Sequence, residues 1–286
     1  MPKVIGNPLS WSVGAVTATG RHLGDVAEHL AVKEDAAPPE VRRLELSDLR
    51  AALKAGVDDF VACRSDVVFL CLLYPLIGGF LAWAAFTGNL LPLIFPILSG
   101  FALVGPVAAV GLYEMSRKRE AGFQPNWGDA LAVLRAPSFG AIFVLSLMLF
   151  ATYVVWLIVA HGIWSATLGP VPPESLGAFV GQVFGTGAGW VMILVGMAVG
   201  LFFAVLVLAA SAVSFPMLLD RDVGLPMAVA TSVRVAMENP VPIAAWGLIV
   251  AGGLVLGALP ALLGLVVVLP VLGHATWHLY RRAVVV

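Results

Sequence analysis

The residues best equipped for chemistry are two histidines four apart, His274 and His278, in an otherwise apolar stretch near the C-terminal end of the chain. On a helix that spacing puts both imidazoles on one face, an arrangement that holds zinc or copper when further ligands converge. Glu114, with Tyr113 beside it, closes another apolar run at similar depth, so a His-His-Glu metal cluster is conceivable. Haem ligation would need a histidine at matching depth on a second helix, and His161 falls at the opposite end of its own run. The neighbours favour a plainer reading. Trp277 and Tyr280 flank the pair, and such amphipathic rings settle at the boundary between hydrocarbon and water, so the histidines read as polar anchors with no metal or cofactor.

The second group is ionic. Glu114-x-x-Arg117 and Arg119-Glu120 end one apolar run, and Asp220, Arg221, Asp222 and Glu238 stand at the equivalent exits of others. Exposed pairs of this kind contribute only tenths of a kcal/mol, so a charged helix end that fixes orientation is the simplest reading. The sharper one is a cytoplasmic hub that holds an anionic lipid headgroup or docks a partner, since arginine grips phosphate with two parallel hydrogen bonds. The sequence contains no nucleophile paired with a base, no glycine loop for phosphate and no redox motif, so no catalytic residue is assigned. Cys63 and Cys71 lack metal or redox spacing and read as free thiols in a reduced compartment.

The elements that carry these residues follow from composition. Apolar residues make up 60% of 286 positions, charged ones 12%, and the mean hydropathy is +0.98. A soluble domain needs about twice that charge to wet its surface, so the chain reads as an integral membrane protein. The net charge of −1 points to no nucleic-acid partner. Residues 1–66 are polar, which argues against a cleaved secretory signal and makes the first apolar run a retained anchor. Apolar runs predict an all-α fold with six transmembrane helices over residues 67–87, 90–113, 139–160, 190–213, 241–257 and 260–280. The last two come from one long run, divided where Gly257-Ala258-Leu259-Pro260 can turn the backbone.

With the amino terminus inside, every Lys and Arg falls on the inner side. Eight are in the leader (Lys3, Arg21, Lys33, Arg42, Arg43, Arg50, Lys54, Arg64), and Arg117, Lys118, Arg119 and Arg135 lie between the second and third spans. Arg221 and Arg234 lie between the fourth and fifth, and Arg281 and Arg282 follow the sixth. Random placement would give this about one time in fifty; the positive-inside rule supplies a cause. Both termini are therefore expected to be cytoplasmic.

The spans pair into three hairpins, each preceded by a segment with apolar residues at helical spacing. These are Leu49, Leu53, Val57, Phe60 and Val61; Trp127, Leu131 and Leu134; and Leu225, Val229, Val233 and Met237. Such stripes suit amphipathic helices lying at the cytoplasmic interface. Ser47-Asp48, Asn126 with Asp129, and Pro226 mark their starts. Pro106, Pro216 and Pro270 recur before the inner ends of the even-numbered spans. Outside, residues 161–189 form the one long loop, with a short surface helix expected after Ser175. Gly196-x-x-x-Gly200 and Gly253-x-x-x-Gly257 predict close helix approach, mainly within the chain. Residues 1–46 form a leader whose first 40 residues have too little apolar periodicity for a domain; its Trp11 could dock onto a partner or the membrane surface. Residues 47–286 form the membrane domain.

The stretch from Gly100 through Val-Gly-Pro106-Val to Leu-Tyr113-Glu114-Met-Ser-Arg117-Lys-Arg-Glu120-Ala-Gly122 resembles a bacterial integral membrane family catalogued as domain of unknown function 2189. Leu-Tyr-Pro75 and Leu-Pro270-Val-Leu-Gly-His274-Ala-Thr-Trp-His278-Leu-Tyr280-Arg extend the resemblance to roughly residues 45–284. It implies a bacterial inner membrane and brings no established activity. An oxidase core with haems and copper would need several intramembrane histidines, and only two lie in a predicted span. Asp, Glu, Lys and Arg are absent from most of the apolar runs, which disfavours ion-driven transport. The expectation is a non-enzymatic accessory, scaffold or assembly subunit of a larger membrane complex, or a homo-oligomer. A channel or carrier for a small neutral or apolar solute, or a lipid-binding protein, is the alternative.

Overall fold

The computed structural model describes residues 39–71, 73–87 and 90–285. Most of the leader, with Lys3, Trp11, Arg21 and Lys33, and the Gly88-Asn89 turn lie outside the described residues. In chain order the helices are α1 (Leu46–Cys71), α2 (Leu73–Thr87), α3 (Ile94–Phe101), α4 (Gly105–Ala108), α5 (Val110–Glu120), α6 (Trp127–Ala132) and α7 (Phe139–Thr167). They continue with α8 (Leu176–Gly185), α9 (Gly187–Ser211), α10 (Ser214–Asp220), α11 (Leu225–Glu238), α12 (Pro240–Ala258) and α13 (Leu265–Ala283). Short 3₁₀ turns cover Leu91–Leu93, Ala102–Val104 and Val133–Arg135.

Among the described residues, three stretches are long and apolar enough to cross a membrane: Phe139–Thr167, Gly187–Asp220 and Pro240–Ala258. Pro75–Phe86, Leu91–Gly100 and Leu176–Gly185 are shorter apolar helices. The second predicted span is not one regular helix. Pro92, Pro96 and Pro106 each withhold a backbone N–H, and the segment breaks into α3, α4 and α5 with 3₁₀ pieces between. The long outer loop is also shorter than expected, because α7 continues through His161 to Thr167. The helix predicted after Ser175 is α8, with the Ser175 hydroxyl accepting from Ala178 N–H at 3.1 Å. The capping box expected at Asn126 and Asp129 opens α6.

The turn between the last two helices falls later than Gly257–Pro260. Gly257 stays helical, and the reversal is carried by Ala261 and Leu262, with φ of 50° and 67°. Glycine is needed at 257 for a different reason: a Cβ there would meet Leu265 Cδ2 at 2.9 Å and its backbone nitrogen at 3.2 Å. The Gly253-x-x-x-Gly257 face therefore packs against α13, while Gly200 meets Trp156 of α7 and Gly196 faces open space.

The core does not sit midway along the apolar helices. Its largest fully buried side chains are Trp246, Trp277, Tyr113, Tyr280, Phe215 and Met115, most of them near the charged ends of α5, α10 and α13. On α7 and α9, by contrast, Phe143, Leu147, Phe150, Ile158, Leu194, Leu201 and Phe202 are exposed. Apolar surface on that scale marks contact with lipid or partner helices, because water penalises it by about 25 cal/mol per Å2. Trp277 and Tyr280 correct the sequence reading: they are fully buried in protein and form no interfacial belt.

The amphipathic segments also orient differently from their apolar stripes. The buried side of α1 carries Leu49, Ala52, Gly56, Asp59 and Cys63, whereas Val57 and Val61 remain exposed. Gly56 permits this docking. A Cβ there would lie 2.6 Å from both the Cβ and the backbone nitrogen of Ala275, so α1 and α13 cross almost backbone to backbone. On α11 the buried side is Leu225, Ala228, Thr231, Ser232 and Val235, and Met237 is exposed. Small and polar residues thus share the buried sides with Leu49 and Leu225, while Val57, Val61 and Met237 of the apolar stripes point outward.

The chain ends are tied together. Val41 and Val284 form an isolated antiparallel bridge, with Arg42 N–H donating to Ala283 C=O at 2.9 Å and Val285 N–H to Glu40 C=O at 3.0 Å. Buried Asn239 completes the clamp: its Oδ1 accepts from Leu44 N–H at 2.7 Å and its amide donates to Arg42 C=O at 3.1 Å.

Candidate functional site

Helical spacing divides the end of α5 into two faces. Ser116, Arg119 and Glu120 turn toward α1 and α13, and Glu114 and Arg117 turn the other way. On α13, His274, His278 and Arg281 recur every turn or so, with Trp277 and Tyr280 between them.

The centre of the first face is Asp59 of α1, which the sequence reading did not single out. Its carboxylate accepts from Ser116 Oγ at 2.6 Å and His278 Nε2 at 2.8 Å, and pairs with Arg119. Burial alone would push this carboxyl up. The hydrogen bonds from His278 and Ser116, the His278 charge and the hydrogen bond from Arg119 outweigh it and hold Asp59 below the usual carboxylate range. Ser116 Oγ also lies 2.8 Å from His274 Nδ1. Because its one proton goes to Asp59, His274 must be the donor, which fixes the proton on Nδ1. The other nitrogen, Nε2, is buried with no hydrogen-bond partner among the described residues.

Two further carboxylates extend the network. Glu120 accepts from Trp277 Nε1 at 2.9 Å and Arg281 Nε at 3.0 Å; Asp220 accepts from the Tyr280 hydroxyl at 2.7 Å and Arg281 Nη1 at 3.2 Å. Arg281 therefore bridges α5 and α10 through α13. At the rim Arg282 pairs with Asp48 at 3.2 Å, and Arg221 donates to the Val285 carbonyl. Lys118 pairs with Asp129 at 2.6 Å, pulling that carboxyl below its ordinary range while Asp129 also closes the α6 capping box.

The expected hub is thus assembled only in part. Arg119, Glu120 and Asp220 join it, through Asp59 and Arg281. Arg221 instead ties down the chain end, and Glu238 forms an exposed pair with Arg234 at 2.7 Å. Asp222 sits exposed after α10. Glu114 is buried and held by Arg117 at 2.8 and 2.9 Å. It therefore does not meet His274 and His278, and among the described residues no three His, Cys, Asp or Glu side chains are grouped to hold a metal. Asp59 was missed because, beside Asp58 on an amphipathic helix, it looks like one more solvated carboxylate. Its one signal was the small-residue face it shares with Ala52 and Gly56.

Two clefts open beside these groups. One, of about 400 Å3, is lined by Asp58, Asp59, Arg119, Glu120 and His278. The other, of about 300 Å3, lies behind Glu114 and Arg117 and is closed by Arg135, Ser138 and Leu219.

The model of a family described as a predicted integral membrane protein (DUF2189) matches residues 94–220, a narrower stretch than the resemblance read from the residues. The match takes in α3 to α10, with Ser116, Arg119, Glu120 and Asp220, whereas their partners Asp59, His274, His278 and Arg281 lie outside it. No curated protein and no solved structure matches the chain.

Proposed function

We propose that this is a non-enzymatic integral protein of a bacterial inner membrane that crosses six times as three hairpins with both ends inside. Its role on this reading is an accessory or scaffold subunit of a larger membrane complex. The observation that carries the proposal is the division of the molecule into two kinds of surface. The reactive side chains of α1, α5, α10 and α13 are spent on cross-links to one another: Asp59 to Arg119 and His278, Glu120 to Trp277 and Arg281, and Asp220 to Tyr280. The sides of α7 and α9 are left apolar and open along their length. An interior tied this way serves rigidity, and an apolar exterior serves lipid and neighbouring helices. The inner segments also converge. Arg42, Arg119, Arg221, Arg234, Arg281 and Arg282 all contact the same charged end, as expected if their connections share one side of the bilayer.

Topology is tested by reporters fused after Gly122 and within the exposed Val171–Glu174 segment: the first should be active only inside, the second only outside. The scaffold role is tested by gentle solubilisation and mass spectrometry of co-purifying proteins. A Cβ at Gly196 meets no atom within 4 Å, so Gly196→Ala is accommodated by the fold and alters the outer face of α9. Loss of a reproducible partner in that variant supports the reading. A monodisperse wild-type protein with no reproducible partner sinks it.

A further inference from the structure

The cleft behind Glu114 has a composition that the paired network does not explain. Ser138 is buried and lines this cleft; its carbonyl accepts from Ile142 N–H at 3.0 Å, but its hydroxyl has no hydrogen-bond partner among the described residues. Arg135, exposed on the same wall, has no ion-pair or hydrogen-bond partner for its side chain among the described residues. Arg117 is oriented through Nε and Nη2 by the buried Glu114 carboxylate, which leaves Nη1 outside that pair. Ser138 is also the residue before the first turn of α7, and no side chain caps that helix. The opening N–H groups of a long helix carry a partial positive charge directed at whatever occupies the space in front of them. Glu114 neutralises Arg117, so Arg135 and the helix end leave the cleft one positive charge in excess.

The depth of the cleft identifies the anion. The 29 residues of α7 span about 43 Å at 1.5 Å per residue. That equals the thickness of a bilayer with its headgroups, about 40–45 Å. Where α7 crosses the membrane, as proposed above, its first turn therefore lies among the headgroup phosphates. We infer that the cleft formed by Arg117, Arg135, Ser138 and the start of α7 binds the headgroup phosphate of an anionic phospholipid. Arg135 and the Ser138 hydroxyl donate to the phosphate oxygens, and Val133, Pro137 and Leu219 wall the less polar side.

The test uses the full chain in detergent, with native mass spectrometry following titration by phosphatidylglycerol, phosphatidylcholine or inorganic phosphate. Arg135→Gln and Ser138→Ala leave the Glu114–Arg117 pair intact, and unchanged melting temperatures verify that each variant is folded. Each should weaken phosphatidylglycerol binding about tenfold, the loss of one charge-assisted hydrogen bond. The double variant should lose more, and phosphatidylcholine binding should not change. A double variant that binds phosphatidylglycerol like the wild type overturns the inference. Displacement of the lipid by millimolar inorganic phosphate overturns the lipid assignment in favour of a soluble phosphate. Recovery of the wild-type protein in alkali-washed membranes separates failure of this site from failure of the membrane reading.

Discussion

Replacing Asp59 by Asn tests the central network most directly. The Asp59 side chain is 5% exposed and accepts from three donors on two other helices. A hydrogen bond to a charged group contributes about 1.5–3 kcal/mol net. Asn can keep its oxygen at the Oδ2 position, where Ser116 and His278 donate, but then turns an N–H2 toward Arg119, losing that charge-assisted bond and the carboxylate charge that strengthens the other two. Arg119 and His278 are 38% and 20% exposed and recover part of the loss by rehydration. The remaining cost is about 3 kcal/mol, or a fall in melting temperature of about 6–12 °C for a chain of this size. Tryptophan fluorescence during heating in detergent would measure it, with Asp58→Asn, an exposed neighbour, as the control expected within about 0.5 kcal/mol.

The pH dependence has a definite sign. Asp59 holds its proton less tightly folded than unfolded, so its contribution is complete above the ordinary carboxylate range and is lost as pH falls through it. The gap between wild type and D59N should thus be constant near neutrality and close below about pH 4. A D59N loss no larger than that of D58N would refute the argument.

Three other substitutions probe separate links. Gly56→Ala places a methyl 2.6 Å from Ala275 and should cost about 1–3 kcal/mol as α1 lifts from α13, read as a lower melting temperature. Asn239→Ala removes the acceptor of Leu44 N–H and the donor to Arg42, so amide exchange over residues 40–45 should accelerate by an order of magnitude or more, about 2 kcal/mol of lost protection. Trp277→Phe deletes the bond to half-exposed Glu120 and part of the buried ring and should cost about 1–2 kcal/mol, whereas Trp277→Ala should cost about 3–5 as a larger cavity opens. Equal, small losses for both Trp277 variants would return this residue to a lipid-facing belt.

Much of the architecture was legible because membranes impose strong length and charge rules. The apolar runs predicted α7, α9 and α12 to within a few residues at most ends, and Ser175, Asn126 and Pro226 marked helix starts that formed. What escaped was governed by contacts between distant segments. Trp277 and Tyr280 have the composition of belt residues, and only the packing of α13 against α1, α5 and α10 reveals that they are interior. Gly257 read as a turn because glycine commonly makes one, although here it serves close approach. The apolar stripes of α1 and α11 were legible, but not the opposite, small-residue faces that dock, since burial of Ala52 or Ala228 leaves little trace in hydropathy. In the candidate site Arg119 and Glu120 of α5 were evident, yet their partners stand 60 to 161 positions away.

The bridge between Val41 and Val284 has a consequence for how a cell distinguishes finished copies from unfinished ones. Its two halves stand at opposite ends of the described residues, so this tie and the α1–α13 contact form only after α13 has been made. Until α13 arrives, Asp59 and Glu120 lack His278, Trp277 and Arg281. A chain interrupted before α13 therefore leaves Glu120 without Trp277 and Arg281, Asp59 with only Ser116 and Arg119, and the Val41 segment without its bridge partner. Completion supplies these partners together, so whole and truncated molecules differ in the polar surface they expose at this end of the fold.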